Sequence, residues 1–120
     1  MTTTLVVLIS GRGSNMEAIA HACMAGRCPA RIALVVADRA DAPGLAQARA
    51  LGLACAVVPR DAHASRDAFD VALAEAVAAA SPDWVVLAGF MRLLSDAFLS
   101  RFAGRVVNIH PSLLPAFPGL

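Results

Sequence analysis

Five short apolar runs, at 5–9, 32–37, 54–58, 84–88 and 105–109, punctuate the chain, and between them apolar residues recur at helical spacing. The first four runs are almost free of polar positions, which is the pattern of parallel strands covered on both faces rather than of a sheet with one wet side. The first helical stretch, 15–25, puts Met16, Ile19, Ala20 and Cys23 on one stripe. It opens on a Ser14-x-x-Glu17 capping box and stops at Gly26. Further helices are expected at 44–51 before Gly52, at 66–80 with Phe69, Leu73 and Val77 inward, and at 96–102 before Gly104. The resulting βαβαβαβαβ order predicts the α/β class, a Rossmann-like doubly wound parallel sheet with helices on both faces. No linker, low-complexity tract or internal repeat breaks the alternation, so 1–120 reads as a single domain.

In such a sheet, ligands bind in the crevice beyond the carboxyl ends of the strands. Each chemically unusual segment falls there: 10–15 after the first strand, 89–94 after the fourth, and 108–119 after the fifth. The loop Ser10-Gly11-Arg12-Gly13-Ser14-Asn15 leads from a strand into a helix start, where unpaired amides and the positive end of the helix dipole attract an anion. Gly11 and Gly13 allow close backbone approach, and Ser14 and Asn15 add side-chain donors. A dinucleotide fingerprint would place Gly or Ala at Met16, and a Walker loop would need a Lys, which the chain lacks entirely. Asp38, at the end of the second strand, keeps a ribose-binding, nicotinamide-dependent alternative open.

Asn108 and His110 flank Ile109 at the end of the last strand. Residues two apart on an extended backbone point the same way, so an amide donor and an imidazole address one small volume. That pairing suits a reaction in which a carbonyl oxygen becomes an oxyanion while a proton moves. Read without context, the same two side chains could cap a turn and satisfy a backbone carbonyl. Gly89-Phe90-Met91-Arg92-Leu93-Leu94 is by itself a strand-end turn with apolar and cationic character, and Arg66 by itself is a cation in the first turn of a helix.

Composition narrows the function classes. The chain is 58% hydrophobic and 16% charged with a formal charge of +1, and all ten of its basic residues are Arg, so there is no electrostatic case for a nucleic-acid or membrane surface. No apolar run approaches the roughly 18 residues of a membrane helix, and a cytoplasmic protein is expected. Cys23, Cys28 and Cys55 form no CxxC pair and have no His at zinc-ligand spacing, so neither a metal site nor a disulfide is expected.

The run Asn108-Ile109-His110-Pro111-Ser112-Leu113-Leu114-Pro115 resembles the active-site signature of the folate-dependent formyltransferases, and its continuation Ala116-Phe117-Pro118-Gly119 is closest to the branch that formylates glycinamide ribonucleotide. Ser10-Gly11-Arg12-Gly13-Ser14-Asn15 resembles the loop by which that branch holds the substrate phosphate, and Met91-Arg92-Leu93-Leu94 resembles the segment that holds the pterin. The resemblance implies the formyltransferase fold and formyl transfer from 10-formyltetrahydrofolate to the amine of 5-phosphoribosylglycinamide in purine synthesis, with no metal. It assigns the phosphate to Gly13, Ser14 and Asn15, and folate contacts to Arg66, Met91, Arg92, Leu93, Leu94 and Asn108. Asn108 would stabilise the oxyanion, and His110 would act as acid and proton carrier. Two alternatives stay open: a formyltetrahydrofolate deformylase, which uses water as acceptor, and a noncatalytic nucleotide-binding module that keeps only the phosphate loop.

The resemblance covers the N-terminal part of a family member, with the C-terminal part absent. In the family, a carboxylate further along the chain pairs with the catalytic His. The 120-residue chain alone is therefore expected to hold His110 largely neutral at pH 7 and to be nearly inactive. An unpaired edge near the last strand is expected to drive self-association into a homo-oligomer.

Overall fold

A computed structural model describes residues 2–26, 29–91 and 94–109. Five parallel strands form one sheet: β1 (Thr3–Ile9), β2 (Ala30–Ala37), β3 (Cys55–Val57), β4 (Trp84–Ala88) and β5 (Val106–Ile109). Their order is β3-β2-β1-β4-β5, so the chain starts in the middle, winds outward to one edge, then returns to build the other. The reversal lies between β1 and β4, and a doubly wound sheet opens its ligand crevice at that switch point.

Strand alternation divides the core into two layers. Val7 and Ile9 of β1 face one side, with Met16 and Ala20 of α1 (Ser14–Met24) and Leu45 and Ala48 of α2 (Pro43–Ala50). Val6 and Leu8 face the other, with Phe69, Leu73 and Val77 of α3 (Arg66–Ala78) and with Phe98 of α4 (Asp96–Leu99). Since every one of these side chains is at most 3% exposed, the centre of the sheet is dry on both faces, as its nearly continuous apolar runs predict. The β1–β2 register shifts between Leu5 and Val6, whose partners are Ile32 and Leu34, leaving Ala33 as an extra residue. That bulge lets Ile32 and Val35, three apart, both join the α1/α2 layer.

Several boundaries differ from the sequence reading. The third strand is three residues long, and the last begins at Val106 because the Arg105 amide closes a turn onto Phe102 O at 2.9 Å. The expected helix at 96–102 is one α-turn that tightens into a 3₁₀ turn, Ser100–Phe102. The helix read as 66–80 ends at Ala78, and Ser81 leaves it with φ 50. Among the described residues no helix is long and apolar enough to cross a membrane. Cys23 and Cys55 are half-buried, while Cys28 lies outside the described residues.

Candidate functional site

The loop after β1 departs from the capping box expected of it. Ser14 is the first residue of α1 rather than its cap. Gly13 takes the N-cap position in the left-handed region, φ 72 and ψ 25, and no side chain caps the helix. A residue with a Cβ would pay roughly 1–2 kcal/mol for that conformation, which is why the turn needs glycine here. The consequence is chemical. The Ser14 hydroxyl is exposed and not spent on a cap, and the amides of Ser14, Asn15 and Met16 have no carbonyl one turn behind them within the helix.

Three of the loop's carbonyl oxygens are engaged within the protein. Gly13 O accepts from Glu17 N at 2.8 Å, and Gly11 O accepts from Gly44 N, in the first turn of α2, at 2.8 Å. The Gln47 amide, oriented by its hydrogen-bond partners, donates through Nε2 to Arg12 O and to Glu17 Oε1, both at 2.7 Å. Glu17 therefore reaches Gln47 rather than folding back as a capping-box partner. Asn15 is 7% exposed, yet among the described residues its Nδ2 has no hydrogen-bond partner. A buried amide donor left unsatisfied is costly, so it marks a place where a ligand acceptor belongs.

The loop after β4 docks onto the loop after β1. Gly89, at φ 74, turns the chain, and Met91 N then donates to Ser10 Oγ at 2.9 Å across 81 residues of sequence. Ser10, 5% exposed, carries no weight in the sequence reading, although a hydroxyl ending an apolar strand was the available signal. Between the two loops lies a cleft of about 350 Å³, lined by Gly11 to Asn15 together with Asp38, Arg39, Gly89 and Met91. Arg39 is held at its rim by a two-pronged pair with Asp41, at 2.8 and 3.1 Å. That hydrogen bond, with the Arg39 charge, keeps the Asp41 carboxyl below its ordinary range.

A second cleft, of about 680 Å³, lies on the other side of Met91 and is lined by Arg60, Asp61, His63, Arg66, Phe69 and Asp70 among others. Met91 is 80% exposed and lines both clefts. Arg66 opens α3, whose N-cap Ser65 accepts from Ala68 N at 3.1 Å. His63 Nδ1 lies 2.9 Å from Pro59 O, an acceptor, so Nδ1 carries the proton in that contact, and its ring stands edge-on to Phe69 at 5.9 Å. The sequence reading singled out neither His63 nor Arg60.

Asp70, also missed, is fully buried. Its Oδ2 accepts from Ser95 N at 2.7 Å, while among the described residues its Oδ1 has no partner. Ser95 is the N-cap of α4, so this carboxyl ties the end of the segment 91–95 to α3. An acid next to Phe69 on the inward stripe of an otherwise apolar helix face was the sequence signal for it.

Asn108 is exposed on β5, in register with Leu87 of β4, and so stands at the same sheet end as the two loops. Leu94 is half-buried against the α3/α4 layer and lines neither cleft, so its side chain packs on the core rather than facing open space. Arg92, Leu93 and His110 lie outside the described residues. The structure thus brings Gly13, Ser14, Asn15 and Met91 to one cleft and Arg66 and Met91 to the next. Among the described residues no group of three or more His, Cys, Asp or Glu side chains is arranged to hold a metal ion.

Comparison with known proteins agrees with this architecture. Phosphoribosylglycinamide formyltransferase of Escherichia coli is 50% identical over 116 residues, which is 97% of this chain and 55% of the relative. The crystal structure of glycinamide ribonucleotide transformylase 1 from Symbiobacterium toebii superposes with a TM-score of 0.89 at 51% identity, covering 99% of this chain and 56% of that one. Phosphoribosylglycinamide formyltransferase from Brucella melitensis gives a TM-score of 0.89 at 48% identity, covering 100% and 62%. The chain spans about half the length of the curated relatives it matches. A family model described as formyl transferase matches residues 3–120, and with that match and these superpositions, the chain belongs to the formyl transferase family.

Proposed function

We propose that this chain is the N-terminal domain, over 1–120, of an enzyme that moves a formyl group from 10-formyltetrahydrofolate to the amine of 5-phosphoribosylglycinamide in purine synthesis. The observation that carries the reading is the pair of clefts sharing Met91 at the sheet end where Asn108 stands. The smaller one suits a phosphate: it is lined by the start of α1, by Ser14 with its exposed hydroxyl and by Asn15, whose Nδ2 has no partner among the described residues. The larger is of a size typical for small organic ligands, with Phe69 as an apolar wall and Arg60, which pairs with Asp61 at 3.7 Å, and Arg66 as cationic lining. The names of the relatives in Escherichia coli and Symbiobacterium toebii support the same substrate and reaction.

In this proposal Gly13, Ser14 and Asn15 hold the phosphate, and Arg66, Met91, Arg92, Leu93, Asn108 and the backbone of Leu94 contact the folate. The folate supplies an electrophilic formyl carbon. Asn108 donates a hydrogen bond to the formyl oxygen as it gains negative charge, and His110 carries the proton lost by the attacking amine to the folate nitrogen, which leaves as its bond to the formyl carbon breaks. Anchoring the phosphate, far from the reacting amine, turns remote binding energy into orientation. The test is steady-state formyl transfer by the full-length protein with both substrates. Turnover that requires both supports the proposal; release of formate at the same rate without the ribonucleotide would show that water is the acceptor and overturn it.

A further inference from the structure

A loop that binds an anion through its amides must turn its own carbonyl oxygens away, because each carbonyl dipole aimed at the anion repels it. Gly13 O is taken by α1 itself, through Glu17 N. Gly11 O and Arg12 O are taken by α2, through Gly44 N at 2.8 Å and the Gln47 amide at 2.7 Å. Contact between the two elements is backbone against backbone. A Cβ on Gly44 would lie 2.7 Å from Ile9 Cδ1 and 3.0 Å from the Arg12 carbonyl carbon and oxygen, and one on Gly13 would lie 3.1 Å from Gly44 Cα. The Ile9 methyl can move aside, but the Arg12 carbonyl belongs to the loop itself. The close approach that lets Gly44 reach Gly11 therefore exists because position 44 has no side chain.

We infer that the first turns of α2, through Gly44 and Gln47, preset the anion loop, so that these two are positioning residues for the substrate phosphate although neither lines its cleft. The inference rests on the proposed role of that loop in holding the phosphate. Preorganisation of this kind cuts the ordering cost of binding, so its loss is read as weaker affinity with the contacts to the ligand formally intact. Gln47→Leu keeps the approximate volume and removes the donor to Arg12 O. Gly44→Ala pushes on that carbonyl directly.

The experiment uses full-length protein and inorganic phosphate, followed through the amide resonances of Gly13, Ser14 and Asn15, alongside steady-state kinetics. Gln47→Leu should weaken phosphate binding about fivefold to tenfold and raise KM for the ribonucleotide to match. The same variant should leave kcat and the folate KM within about twofold, a split that general destabilisation would not produce. Gly44→Ala should act in the same direction and more strongly; should it fail to fold, Gln47→Leu still decides. Wild-type phosphate affinity in Gln47→Leu, or an equal rise in both KM values, overturns the inference. Amides that do not move with phosphate in the unaltered protein would remove the phosphate site itself, and the clamp with it.

Discussion

Replacing Asp70 isolates what a single buried carboxyl contributes to the larger cleft, which it lines. In Asp70→Ala the Ser95 amide at the start of α4 loses its acceptor at 2.7 Å, and Ser95 Oγ, already buried without a partner among the described residues, gains none. Leaving a buried donor unsatisfied costs about 1–3 kcal/mol, and loss of a cap about 0.5–2. Two observations place the expected loss in the lower half of that range. The hydrogen bond is only part-buried, and the substitution also removes the partnerless Oδ1. We expect about 1–2 kcal/mol, which at roughly 4 °C per kcal/mol lowers Tm by about 4–8 °C. Asp70→Asn keeps an acceptor of the same shape and should cost under about 1 kcal/mol. Because Ser95 ends the segment that begins at Met91, the alanine variant should also raise the folate KM about threefold to tenfold while sparing the KM of the phosphorylated substrate. Thermal and urea unfolding of both variants, with the two KM values, test this. Equal Tm losses for Asn and Ala would refute the assignment of Asp70 as an acceptor, and an unchanged Tm in both would remove it as a structural tie.

Asn15→Leu should separate stability from function: deleting an unsatisfied buried amide leaves the unliganded protein as stable or up to about 1 kcal/mol more stable, while phosphate affinity falls about tenfold. Calorimetry with and without phosphate checks both signs, and a loss of stability would contradict the reading of Nδ2. Asn108→Ala in the full-length protein should lower kcat about a hundred- to a thousandfold, the usual consequence of removing an oxyanion donor. A drop below tenfold would exclude that role. Since Arg39 holds the Asp41 carboxyl below its ordinary range, the pair stabilises the fold above the unfolded carboxyl value, near about pH 4, and loses that effect as pH falls through the lowered folded value. The Tm difference between the parent and Asp41→Asn, small because both groups are exposed, should persist at pH 7 and vanish under acid.

Much of this protein is legible from local pattern. The five strands and four helices follow from apolar runs and helical stripes, because burial on one or both faces constrains every second or every third to fourth residue within a single element. The loops of the candidate site stand out in the sequence for a related reason: Gly11, Gly13, Ser14, Asn15 and Asn108 stand at strand ends, where a core has no use for them. Other details depend on atoms that local pattern does not specify. Ser14 reads as a cap, but the left-handed turn at Gly13, packed against Gly44, moves the helix start by one residue and frees the hydroxyl. Leu94 reads only as part of a ligand segment, whereas its side chain also packs against the α3/α4 layer. The strand order, the Ser10–Met91 bond across 81 residues, the Asp70–Ser95 tie and the grip of α2 on the loop between β1 and α1 belong to the tertiary structure alone. Periodicity records which face of an element is buried, whereas these contacts depend on which elements become neighbours, and that is decided by sheet order, register and the close approach of backbones far apart in the chain.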